Sequence, residues 1–348
     1  MKKEMLLAAS ALACAISFGA ELNVAEGETL TLREDMSVTG GSVAGTLVLE
    51  EGVTLSLSDN VFASTAVVEM RGATIVGFSG TTEPTFSNVF DVAADTENEI
   101  RNVDDSWSHE GCNVHFNGKV VGSGSLSLVS TGRGFIIGAD FSAFEGELNL
   151  AMDGNYFAGR FGSSDMSKAT LNVVSGCVNF SLTDIYIGHL NISEGAAFND
   201  DRGWNDSNRV HLMGDSVLAG DLTGNEIDLF VHDGASVEIG CGVPRVYVES
   251  GSLSGNGTIG RLQTDGRDIA VENAVGSVLT VNGGWGTQGK MVVTGGTERP
   301  SGNDIVRFAD ASPFNVELSG ELAAKGWKLV FSDGTYSIWR PGFAIILR

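Results

Sequence analysis

The sequence predicts an all-β chain that coils as a parallel β-solenoid, and three observations predict it. Glycine is abundant and proline scarce, at 47 and 5 of 348 residues. That balance fits many short strands joined by tight corners, because glycine adopts positive φ without steric cost. Apolar residues alternate with polar ones at a period of two, which is the signature of strands rather than helices. One corner unit recurs along the chain: apolar, any, apolar, two residues, Gly, two residues, apolar. Hydrophobic residues make up 42% of the chain, enough for a continuous core.

The N-terminus reads as a signal peptide over residues 1–19. Lys2 and Lys3 form a charged start, and Met5 to Phe18 is an apolar run of small residues. It is too short to cross a bilayer, which takes ~20 residues. Cleavage is expected after Ala15 or Gly19. Leu12-Ala13-Cys14 has part of a lipoprotein signal, but Ala11 stands where leucine is usual. No second long apolar run follows, so no membrane span is expected. The mature chain then divides into a solenoid over 20–300 and a capping or docking segment over 301–348.

The corner unit first appears at Leu22-Asn23-Val24-Ala25-Glu26-Gly27-Glu28-Thr29-Leu30 and again from Leu47 to Leu55 around Gly52. It returns at Leu171 with Gly176, Leu190 with Gly195, Leu229 with Gly234 and Val246 with Gly251. Its first two apolar positions face one side of a strand, and the glycine turns the chain so that the next strand faces the same core. Recurrence of one corner formula is what stacked coils require. An antiparallel sandwich also has short strands, but the strand pattern here runs longer than one sandwich needs. A rung of ~22 residues fits the closer copies.

Two stretches break the rhythm. Residues 81–110 lack glycine and carry many carboxylates, reading as a helix or loop on the coil or as polar strands with long corners. Asn199 to Asp206 reads as a loop. At the far end, Trp327, Phe331, Tyr336, Trp339 and Phe343 cluster aromatics, as a terminal cap or docking hairpin would. Cys112, Cys177 and Cys241 remain after Cys14 leaves. Three rungs at the strand spacing would hold them ~14 Å apart, beyond the ~7 Å reach of a disulfide, so buried thiols are expected.

Two segments carry a resemblance. Gly118 to Leu128 followed by Ser142-Ala143-Phe144-Glu145-Gly146-Glu147-Leu148-Asn149-Leu150 is similar to the autotransporter-associated β-strand repeat. Gly251 to Gly260 leading to Gly276-Ser277-Val278-Leu279-Thr280-Val281-Asn282-Gly283 resembles the pattern near the end of many autotransporter passengers. Together they span about a sixth of the chain. The resemblance implies a right-handed parallel β-helix displayed or released outside the cell. The sequence departs from it at Glu272-Asn273-Ala274-Val275, where a P-G-N-S step is usual. The stretch after Gly283 is also too short for eight membrane-spanning strands of ~10 residues, so export without an attached membrane β-barrel is expected.

The formal charge of −23 disfavours nucleic acid and anionic membranes as partners. It also keeps an extended β protein soluble. Few residue patterns along the chain point to chemistry. Asp200-Asp201 is an adjacent carboxylate pair near a further aspartate and an aromatic, Trp204, as a polysaccharide-active β-helix would need, but no companion base or G-H-G motif accompanies it; Gly188-His189-Leu190 matches in part. His109, Glu110, Cys112 and His115 hold ligating groups, yet Cys112 would point away from the two histidines on a strand. Gly214-Asp215-Ser216 lacks the strand-to-helix turn of a hydrolase elbow and reads as a β corner. Ser301-Gly302-Asn303-Asp304 is one copy of a calcium-binding repeat that needs several.

No catalytic, cofactor-binding or metal residue is therefore assigned. The expected function is non-catalytic: surface adhesion, or a structural or spacer role, extracellular or at the cell surface with the periplasm as the alternative location, and with a surface glycan or protein as partner. A polysaccharide lyase or glycoside hydrolase is the alternative.

Overall fold

The chain is a parallel β-solenoid of about 11 turns. The computed structural model describes residues 19–77, 84–103, 113–131, 134–153, 159–162, 165–180, 184–200, 208–222, 227–232, 234–272, 278–284, 286–295, 303–309 and 314–340. The chain forms two compact units. Unit one comprises Met1–Leu182 and Ala196–Asp201; unit two comprises Thr183–Gly195 and Arg202–Arg348.

Unit one stacks its rungs on three walls. One wall is a six-stranded parallel sheet of Thr29–Leu32, Thr46–Leu49, Val67–Met70, Val89–Val92, Lys119–Gly122 and Asp140–Phe144. A second runs through Thr54–Leu57, Thr74–Gly77, Glu97–Asn102, Ser125–Ser130 and Glu147–Met152 into Asp165–Phe180. The third comprises Thr85–Phe86, Val114–Phe116, Phe135–Ile137 and Gly159–Phe161, then Cys177–Phe180 and Ala197–Asp200. Register follows the period-two pattern. Leu126 pairs with Leu148 and Leu128 with Leu150, all inward and buried, while Ser125 and Ser127 face out.

In unit two, one series of strands is Asp184–Ile192, Asn208–Leu212, Ile227–Val231, Gly242–Val248 and Thr258–Gln263. The other is Ser216–Leu218, Ser236–Ile239, Ser252–Ser254, Ile269–Glu272, Lys290–Thr294 and Asn315–Leu318. All these pairings are parallel. Rung length is uneven: Val246 pairs with Leu262, whereas Phe90 in unit one pairs with Val120.

The corner glycines explain most turns. Gly27, Gly52, Gly176, Gly195 and Gly234 have positive φ. Gly251 does not; there a Cβ would meet the Ala235 carbonyl oxygen, so close backbone approach selects glycine. In the glycine-free stretch, polar strands with a corner prevail where the chain is described. Phe90-Asp91-Val92-Ala93-Ala94-Asp95 repeats the corner unit with Asp95 in the left-handed position, at φ 59°. Short Asp and Asn side chains tolerate that region. Asn98, buried where the unit places an apolar residue, accepts from Gly72 and Ala73 N–H and donates to Thr96 Oγ1. Residues 104–112 lie outside the described residues, and with them His109, Glu110 and Cys112.

Cys177 and Cys241 are unbridged thiols, but half-buried rather than buried as the sequence suggested. Asn199 Nδ2 donates to Cys177 Sγ at 3.0 Å. The thiol therefore sits in a polar column, not an apolar one. Burial pushes the Cys241 thiol pKa up.

The parallel stack ends in an antiparallel hairpin of Lys328–Ser332 and Thr335–Trp339, whose second strand pairs with Asn303–Phe308. Asp333-Gly334, both at positive φ, make its two-residue turn. Before it, the short helix Gly320–Ala324 is capped by Ser319 Oγ, which accepts from Leu322 N–H. The aromatic cluster splits by burial: Trp327 is buried, while Phe331 and Trp339 are 55% and 48% exposed. Phe343 lies outside the described residues. Among the described residues no helix is long and apolar enough to cross a membrane.

Candidate functional site

The densest array of functional side chains lies on the outward face of unit two. Its strands share a tetrad of charged, aliphatic, ring and aliphatic residues: Asp184-Ile185-Tyr186-Ile187, Arg209-Val210-His211-Leu212, Asp228-Leu229-Phe230-Val231 and Arg245-Val246-Tyr247-Val248. The aliphatic residues point inward and are buried. The charged and ring residues therefore alternate onto the outer face. Register aligns them, with Tyr186 beside His211, then Phe230, then Tyr247.

The rings stack face to face along the rungs. Centroids lie 4.3 Å apart from Tyr186 to His211, 4.8 Å from His211 to Phe230 and 4.5 Å from Phe230 to Tyr247, with planes within 19°. Tyr186 is the exposed end of this stack, at 39%. Beside it runs a charge ladder of alternating sign. Arg209 contacts Asp184 at 3.5 Å, and Arg245 Nε donates to the buried carboxylate of Asp228. Burial, and next the Asp228 charge, push the Tyr247 phenol pKa upward.

Two histidines join the ladder to a third column. His211 Nε2 lies 3.1 Å from Asp184 Oδ1, and His211 Nδ1 lies 2.9 Å from His232 Nε2. His232 Nδ1 lies 3.0 Å from Glu249 Oε2. The two imidazole planes are within 22° and their centroids 5.1 Å apart, so the rings meet edge to edge in nearly one plane. Burial lowers the His211 pKa most; the hydrogen bond to Asp184 opposes this, and the charge of His232 adds to it. Among the described residues no group of three or more His, Cys, Asp or Glu is placed to hold a metal.

The sequence candidates fare differently. Asp200 ends the strand Ala197–Asp200, while Asp201 and Trp204 lie outside the described residues. His115 is on the strand Val114–Phe116, between two inward-facing buried residues. Ser216 closes a corner, donating to Gly214 O and accepting from Leu190 N–H, and Asp215 accepts from Ser236 N–H. His189 Nδ1 meets Asp215 O at 2.8 Å. Asp304 accepts from Ser337 Oγ–H and so fastens the hairpin. The tetrad residues were missed. Their signal was present as four copies of one pattern, but the copies are unevenly spaced, and only the register brings them into line. No protein-family model, curated protein or solved structure matches the chain.

Proposed function

We propose that this chain is an exported, non-catalytic β-solenoid that works by contact along its outer faces, as an adhesive or spacing element at the cell surface. The observation that supports it most is that outward side chains bond rung to rung into continuous ladders. The ring stack and charge ladder of unit two are one case. In unit one, Asn172 Nδ2 donates to Asn149 Oδ1 at 2.7 Å, and Asn149 Nδ2 to Ser125 Oγ at 2.8 Å. Each side chain is held by its neighbours before any partner arrives, so little rotamer entropy remains to be lost on contact. Such a face suits an extended partner, a surface glycan or another protein, more than a small molecule held in a cleft. The signal-like start and the autotransporter-like repeats point the same way.

Surface protease shaving and fractionation of the native cells test the location, with the mature chain expected outside the cytoplasm. Purified residues 20–348 incubated with neutral and acidic polysaccharides should bind without releasing new reducing or unsaturated ends. Turnover of any polysaccharide would replace this reading with the lyase or hydrolase alternative, and recovery of the chain from the cytoplasm would end it.

A further inference from the structure

The chain Asp184–His211–His232–Glu249 contains three gaps between polar atoms, each 2.9–3.1 Å wide. Every such gap requires one hydrogen. An ionised carboxylate only accepts, so both outer gaps must be filled by imidazole N–H groups, from His211 Nε2 and His232 Nδ1. A neutral imidazole carries one hydrogen, so two neutral rings fill two gaps and leave two lone pairs facing each other at the third. Two imidazolium ions carry four hydrogens, and two N–H groups then collide at the centre. Only three hydrogens on the pair satisfy all three gaps.

We propose that this chain is a proton-binding site that holds one excess proton between two edge-to-edge imidazoles, and that the proton fastens the outer ladder of unit two only within a bounded window of pH. The surroundings agree on where the proton rests. His211 is nearly buried, sandwiched between Tyr186 and Phe230, and Arg209 stands beside it. Burial first, then the charges of His232 and Arg209, disfavour charge on that ring against the opposing hydrogen bond to Asp184, so its pKa is lowered and His211 is the acceptor. His232 is more open and faces Glu249, and it donates on both sides. The remaining charges of the face, Asp228 and Arg245, neutralise each other, and Tyr247 is separated from His211 by Phe230.

The sign of the pH dependence follows. His211 is depressed below its ordinary 6.5, so below that pH the unfolded chain takes up a proton that the folded ring refuses. Stability is present above the unfolded value and is lost as pH falls through the folded one. When pH rises far enough to withdraw the shared proton, one gap loses its hydrogen and stability falls again. The two steps belong to the pair and not to either ring alone.

Two-bond 1H–15N imidazole spectra of 15N-labelled residues 20–348, recorded from pH 4 to 9, test this on the parent protein. Near neutrality His211 should show protonated Nε2 and bare Nδ1, with both nitrogens of His232 protonated. Two singly protonated rings at that pH, or a carboxyl group carrying the third proton, would overturn the proposal. Thermal unfolding supplies a second arm. The parent Tm should fall on both sides of its optimum by about 2–4 °C for each missing link. His211→Phe, which keeps a ring in the stack, should flatten both limbs. Identical limbs in parent and variant would refute the shared proton.

Discussion

The two units solve the placement of aromatic rings in opposite ways. In unit one the rings are inside: Phe62, Phe86, Phe90, Phe116, Phe141, Phe144, Phe161, Phe180 and Phe198 are buried and touch one another from rung to rung. In unit two, from Asp184 to Gln263, valine, isoleucine and leucine fill the interior, and the rings Tyr186, His211, Phe230 and Tyr247 stand outside. Both arrangements use the same parallel register, which places like positions of successive rungs about 4.8 Å apart, a spacing suited to ring stacking. The coil therefore makes ladders of whatever residue type recurs at one register position. Inward ladders supply cohesion, and outward ladders supply a surface. A ring thus has a different worth in each unit, although its stacking geometry is similar.

The largest expected effect tests the inward set. Phe116 is fully buried and contacts Phe86, Phe90 and Phe141 at 5.1–6.5 Å between centroids. Phe116→Ala should cost about 3–5 kcal/mol in urea unfolding, through lost transfer energy and the cavity left behind. Phe230→Ala in the outward stack should cost about 1 kcal/mol, mostly the ring–ring term. Equal losses would erase the distinction between the units.

Next in size are the corners, where the comparison can be sharpened with one substitution. Gly176 in unit one and Gly234 in unit two share nearly the same positive φ, 72° and 83°. A Cβ at Gly234 meets nothing, whereas at Gly176 it would fall on the Met152 carbonyl. Valine at Gly234 should cost about 1–3 kcal/mol of backbone strain alone. Gly176→Val adds a backbone clash to the same strain and should lose more, read as a lower urea midpoint. If the two variants match, the clash is relieved by a backbone shift and corner conformation alone governs both units.

Much of this fold could be read along the chain because its rules are local. Leu55-Ser56-Leu57 declares its inward face through period-two alternation, and Gly52 marks the turn that precedes it. Asp95 could be reached by the same rule once glycine is allowed a substitute. Gly251 shows the limit: it fits the formula, but its reason is the Ala235 carbonyl of a neighbouring rung. The candidate site depended on register. His211 and His232 meet because Asn208–Leu212 pairs with Ile227–Val231, and the rungs around them differ in length. A sequence without a fixed period does not disclose which residues become vertical neighbours. For the same reason His109 and His115 stand together along the chain, whereas His211 and His232 become neighbours only through register.

The smallest expected effect concerns charge ladders. In unit one, Arg71 bridges Glu50 at 3.1 Å and Glu69 at 2.8 Å on an exposed face. In unit two, Arg245 pairs with an aspartate that is buried. Water already solvates Arg71 and both of its carboxylates, so breaking that contact returns each group to an environment it barely left. Arg71→Gln should cost about 0.2–1 kcal/mol, and the loss should shrink further when salt is raised, since the Debye length falls to about 3 Å at 1 M. Thermal unfolding of parent and variant at low and high salt measures both. A loss above that range, or one indifferent to salt, would mean that the unit-one ladder is as desolvated as the Asp228 contact, and that the contrast between the two faces lies in their rings alone.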